Sequence, residues 1–133
     1  MVLQAKVLVV DDEESLRASI GRILKFHGFW VEAAGDLGEA LAKISGEQFD
    51  VVLTDLRMSG PEDGLRVIEA VREQYPEAIT FLMSAYPNPA GTTASLKLRS
   101  DEIVAKPIDI PGLIRRIRER LEDRMGGSGL VEG

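Results

Sequence analysis

Five times along this chain a short apolar run is followed by a stretch with helical spacing, and that rhythm constrains the fold more than any other feature. The runs are "KVLVV" (6–10), "FWVEAA" (29–34), "DVVLTD" (50–55), "AITFLMS" (78–84) and "EIVA" (102–105). Continuous apolar strands, rather than alternating ones, suit a sheet covered on both faces. After the first run, Leu16, Ile20, Ile23 and Leu24 fall at helical spacing and Gly28 is a natural stop. After the second, Asp36 and Glu39 have capping-box spacing beside a stripe of Leu37, Leu41 and Ile44. The third leads to "GLRVIEAVREQY", closed by Pro76. The last helix takes Asp109 as its cap, Pro111 in its first turn, and Ile110, Leu113, Ile114, Ile117 and Leu121 as its apolar face. "AGTTASLKL" (90–98) has few strong helix formers and predicts a short or mobile helix. Five strand-then-helix units predict an α/β domain with a parallel sheet.

The totals narrow the chemistry. A net charge of -6 and a pI near 4.8 argue against direct contact with nucleic acid, whose phosphates need clustered Lys and Arg. With no cysteine, disulfides, thiolate metal sites and cysteine nucleophiles are excluded. No apolar run reaches the ~20 residues of a membrane span, and the N-terminus lacks a secretory pattern, so the chain reads as cytoplasmic. "GGSGLVEG" (126–133) reads as a flexible tail or linker stub.

The residues at the carboxyl ends of the strands come next: Asp11 and Asp12 after the first, Asp55 after the third, Ser84 after the fourth, Lys106 after the fifth. In open α/β sheets ligands bind along this rim. Three gathered carboxylates repel one another, and a divalent cation with hard oxygen ligands relieves the repulsion; Mg²⁺ fits best. A lysine and a hydroxyl on the same rim suit an anion. Metal, lysine, hydroxyl and an exposed carboxylate are the parts needed to transfer a phosphoryl group onto that carboxylate, with Asp55 as nucleophile.

Each residue has a blander reading. Asp11 and Asp12 alone would be helix caps. Ser84 alone would be a turn serine, and Lys106 alone surface charge. Their common position at strand ends favours the site. His27 is the only histidine and reads as a last-turn residue complementing the helix dipole, not as a phosphodonor. Arg115, Arg116, Arg118, Arg120 and Arg124 alternate with Glu119, Glu122 and Asp123. They read as a solvated, ion-paired face or a dimer rim.

The stretches "VLVVDDEESLR", "VVLTDLRMSGPEDGL", "FLMSAY" and "IVAKPID", in this order and spacing, resemble the receiver domain of bacterial two-component response regulators. The resemblance covers about residues 5–124 and implies a receiver domain over 1–124 followed by the 125–133 tail. It implies a flavodoxin-like (βα)5 doubly wound sheet of order 2-1-3-4-5. It further implies that Asp55 accepts a phosphoryl group from a sensor histidine kinase or phosphotransfer protein. Asp12 would bind Mg²⁺ directly, Asp11 through water, and the Arg57 backbone carbonyl would complete the metal site. Lys106 would contact the phosphoryl oxygens, and Ser84 would move toward them. The Lys106–Pro107 bond would be cis, and Arg57 and Tyr86 would tune hydrolysis of the acylphosphate. Such a domain is a switch that promotes its own phosphorylation and dephosphorylation, not a turnover enzyme. Its further partners would be a C-terminal effector domain absent from this chain or a second copy in a homodimer.

The sequence departs from the family pattern at Ser59, where proline is usual, and in one extra loop residue before Gly64. Arg99 and Ser100 replace a usual Gly-Ala pair, and Ile103 stands where an aromatic is usual. A stiff, β-branched residue there predicts no aromatic rotamer switch; Ile103 is expected to stay packed. The alternative enzyme reading is a Mg²⁺-dependent aspartyl-phosphate phosphohydrolase. That class needs an acid two residues after the nucleophile, where this chain has Arg57. A flavodoxin-like cofactor binder would need a glycine- and hydroxyl-rich loop where "DDEES" stands.

Overall fold

The computed structural model describes residues 4–85 and 100–132, with side chains described as far as Arg124. Five parallel strands, β1 (Lys6–Val10), β2 (Trp30–Ala34), β3 (Val51–Asp55), β4 (Ile79–Ser84) and β5 (Glu102–Ala105), form one sheet of order 2-1-3-4-5. Four helices connect or follow them: α1 (Glu14–Phe26), α2 (Leu37–Gly46), α3 (Asp63–Gln74) and α4 (Ile110–Glu132). The parallel sheet expected from the alternating runs is therefore present, in the order that the resemblance implies. The helix expected over 90–98, and Tyr86, lie outside the described residues. Helical backbone continues through 125–132, the segment read as a tail, because an established helix adds each further residue more cheaply than it nucleates.

Strand periodicity of two explains why helices cover both faces. In β1, Val7 and Val9 point one way and pack with Ile20 and Leu24 of α1 and Leu113 and Ile117 of α4. Leu8 and Val10 point the other way, onto Ala40 and Ile44 of α2 and Val67 and Val71 of α3. Central strand β3 is buried at every residue, whereas edge strand β5 is only partly buried. A continuous apolar run is what a two-sided burial requires.

Local signals hold at the helix ends. Asp36 Oδ1 accepts the Glu39 N–H at 2.8 Å, and Glu39 reaches back to the N–H of Gly35, one residue earlier than a standard capping box. Asp109 Oδ1 accepts the Gly112 N–H at 3.2 Å. Helix α1 ends at His27, and Gly28 takes φ +93°, a conformation costly for other residues. The arginines of α4 pair differently from the alternation in sequence. Arg116 and Arg120 meet Glu102 of β5, and Arg124 meets Asp50 ahead of β3. A helix packed on a sheet has strand-end acids closer to its long side chains than its own turns offer.

Candidate metal and phosphoacceptor site

All three carboxylates converge at the carboxyl rim of the sheet. Asp11 follows β1 and Asp55 ends β3; these strands are hydrogen-bonded neighbours, so their ends are adjacent. Asp11, Asp12 and Asp55 each offer a carboxylate oxygen, and these atoms lie within 4.8 Å of one another. Asp11 is fully buried, Asp55 is 7% exposed, and Asp12 faces solvent. From β5, Lys106 places its Nζ 3.1 Å from Asp11 Oδ2 and 3.2 Å from Asp55 Oδ2. Its backbone N–H donates to the Ser84 carbonyl at 2.9 Å, which ties the lysine to the end of β4. The Lys106–Pro107 bond is cis.

Burial, reinforced by the Asp11 charge, raises the Asp55 carboxyl above its ordinary value more than Lys106 lowers it. For Lys106, burial works against the charge, but the hydrogen bond and charge of Asp11, then those of Asp55, outweigh it and raise its pKa. One ammonium shared by two carboxylates thus leaves Asp55 short of positive charge. Three hard oxygen donors facing this shortfall fit Mg²⁺, the cation expected from the sequence.

Asp11 and Asp12 do not cap α1. Its N-cap is Glu13, without a side-chain bond, and Asp11 Oδ1 accepts the Glu13 N–H at 2.9 Å. Ser84 is the last residue of β4, buried, opposite Ala105 of β5. Arg57 is exposed in the loop after β3. Ile103 is partly buried against Leu65, Ile68 and Leu82. His27 is exposed at the end of α1, away from the rim, and its carbonyl accepts from Arg118 at 3.4 Å.

Sequence reasoning missed what holds the loop after β3. Met58 N–H donates to the Gly60 carbonyl at 3.1 Å, and Gly60 N–H donates to Asp63 Oδ2 at 2.9 Å. Gly64 N–H donates to the Leu56 carbonyl at 2.9 Å. A Cβ on Gly64 would lie 2.7 Å from Leu56 Cα and overlap the Asp55 carbonyl oxygen. The "EDG" of the loop was visible, but nothing in its spacing signals that α3 starts against the backbone of Asp55.

Residues 7–118 match the sequence model of the response regulator receiver domain. The response regulator MprA of Mycolicibacterium vanbaalenii is 32% identical over 130 residues, 98% of this chain and 56% of that protein. The putative response regulator NtrX-like protein of Rickettsia typhi is 31% identical over 90% of this chain and 25% of its own length. This chain therefore spans about half of MprA and a quarter of the NtrX-like protein. Among solved structures, a CheY-like response regulator receiver domain protein from Methanospirillum hungatei aligns with TM-score 0.84 and 28% identity, covering 94% of this chain and 99% of that one. The response regulator TrrA from Thermotoga maritima, solved in complex with Mg(2+)-BeF, aligns with TM-score 0.76 and 27% identity, covering 88% of this chain and 99% of that one.

Proposed function

The chain belongs to the response regulator receiver family, and from that premise we propose that it is a signalling switch set by phosphorylation of Asp55. The observation that supports this most is Lys106 lying between Asp11 and Asp55, so that the buried carboxylate ending a central strand has a cation beside it. An Asp55 oxygen attacks phosphorus of a phosphohistidine on a sensor kinase or phosphotransfer protein. The P–N bond breaks and its electron pair leaves with the imidazole, giving an acylphosphate. Later attack by water releases inorganic phosphate and restores the carboxylate. Bound Mg²⁺ would neutralise charge on the phosphoryl oxygens. Asp12, Asp55 and the Arg57 carbonyl would hold it, with Asp11 acting through water. Lys106 holds the same phosphoryl oxygens by charge, and Ser84 donates its hydroxyl to them. Residues 1–124 form the receiver unit, located in the cytoplasm, with an effector domain or a second copy as the reader of its state.

Incubation with acetyl phosphate and Mg²⁺ should add one phosphoryl group to the intact mass. Steady release of product from a generic phosphate ester, without a stable adduct, would instead favour the phosphohydrolase reading.

Mg²⁺ should bind without phosphate, because it relieves the carboxylate repulsion. Asp12→Ala should weaken that binding by about tenfold or more, as loss of one charged ligand implies. Calorimetry is the suitable measurement: Trp30 pairs with Lys6 at the opposite end of β1 and is a poor reporter. Unchanged affinity in Asp12→Ala would remove that residue from the ligand set.

A further inference from the structure

Every polar group of Asp11 is engaged. Its N–H donates to the Ala34 carbonyl at 3.2 Å, Oδ1 accepts from Glu13, and Oδ2 accepts from Lys106. The remaining group, its carbonyl oxygen, accepts from Arg17 Nη1 at 2.6 Å. Arg17 lies on α1, and its guanidinium folds back over the turn that leads into its own helix. A second observation locates it. A Cβ at Gly35 would lie 3.2 Å from Arg17 Nη1 and 3.3 Å from Glu39 Oε1. Glu39 Oε1 in turn accepts the Gly35 N–H at 2.6 Å. Arg17 thus stands where the turn after β1 meets the turn after β2.

We infer that Arg17 is a positioning residue for the acidic site, acting through the Asp11 carbonyl. The inference rests on the metal-site reading above. Its logic is covalent: the Asp11 carbonyl belongs to the planar peptide unit whose nitrogen is that of Asp12. Fixing that oxygen fixes the plane from which the Asp12 backbone departs. Asp12 is the exposed member of the carboxylate trio, so packing constrains it least. A charge-assisted bond of this length is a strong restraint.

Two effects of Arg17 on cation binding have opposite signs, which makes the inference testable. As a nearby positive charge, Arg17 repels Mg²⁺, so its removal would tighten binding. As a positioning residue it orients a ligand, so its removal weakens binding. Outer partners of metal ligands are worth roughly 10–100-fold in affinity, and the positioning effect prevails.

The experiment is calorimetric Mg²⁺ titration of the wild type, Arg17→Met, Arg17→Gln and Arg17→Lys, with thermal midpoints recorded for each. Arg17→Met should bind Mg²⁺ about tenfold more weakly. Arg17→Lys should recover most of the affinity, since it restores a charged donor. A purely structural role would lower the midpoint and leave affinity unchanged. Should Arg17→Met fail to fold, Arg17→Gln against Arg17→Lys makes the same comparison. Equal or tighter Mg²⁺ binding in the variant lacking the charged donor overturns the inference while leaving the metal-site reading intact. A wild type that binds no Mg²⁺ overturns both.

Discussion

Asp55→Asn is expected to abolish the mass gain from acetyl phosphate and, in the same sample, to raise stability at neutral pH without Mg²⁺. The first effect follows from loss of the proposed nucleophile: a carboxamide oxygen is a far poorer one, and no other carboxylate of the trio ends a strand beside Lys106. The second follows from the direction of the Asp55 shift. Burial and the Asp11 charge raise its pKa in the folded protein above the ordinary 3.8. Between the ordinary and the raised value the folded state binds more protons than the unfolded state, so stability falls as pH rises through that window. Above the window the cost of holding the charged carboxylate is fully present. Asparagine carries no charge and escapes it. Lys106 loses one partner but keeps Asp11 at 3.1 Å. The stabilisation should vanish below the ordinary carboxylate range, where wild-type Asp55 is protonated in both states, and Mg²⁺ should narrow it. Thermal midpoints of both proteins from pH 3 to pH 8 are the measurement; a variant less stable than wild type at pH 7 would show that the Lys106 attraction outweighs the repulsion.

Gly64→Ala is expected to be among the most damaging single-methyl additions in this chain. Two effects compete. Alanine is favoured over glycine in a helix interior by up to about 1 kcal/mol, and less in a first turn. Against this, the new Cβ would lie 2.7 Å from Leu56 Cα and overlap the Asp55 carbonyl oxygen. Both atoms are backbone, so no rotamer change relieves the contact. Overpacking of this kind costs about 3 kcal/mol, and the clash wins. Either α3 shifts outward or the end of β3 moves, and the second also displaces the Asp55 carboxylate. Urea unfolding should show the loss, and labelling by acetyl phosphate should slow with it. A change within about 0.5 kcal/mol, typical of a neutral surface substitution, would mean that α3 yields easily at this point.

Gly64 marks where sequence reading reached its limit. Elements of the sheet were legible because burial on both faces leaves an unbroken apolar run, as in "DVVLTD"; their order came only from the resemblance to the receiver family. Four residues of the candidate site, Asp11, Asp12, Asp55 and Lys106, were brought to one rim for the same reason: each ends a strand or lies within two residues of its end, so finding the strands found the rim. Arg17 was not legible. Its contact runs from a side chain to a backbone carbonyl six residues earlier, and backbone acceptors leave no trace in residue type. The α4 arginines were legible as a charged face, but their partners Glu102 and Asp50 were not. Those pairings depend on how the last helix crosses the sheet, which no local spacing encodes. Asp63 was hidden likewise: its partner is the N–H of Gly60, inside a loop with one residue more than the family pattern.

Helix α4 begins four residues after Lys106, and its upper end is held by the Asp109 cap. Further along, it is held by Arg124, which donates to the Glu77 carbonyl ahead of β4 at 3.2 Å and to Asp50 ahead of β3 at 3.1 Å. At 1.5 Å per residue the stretch between those anchors is roughly 22 Å long. It works as a tie-rod between the two rims of the sheet. Anchored at these two points, the stretch between them resists tilting against the sheet. The residue that meets two acids at one rim is thus joined, through four residues and one helix, to the chain entering β3 and β4 at the other.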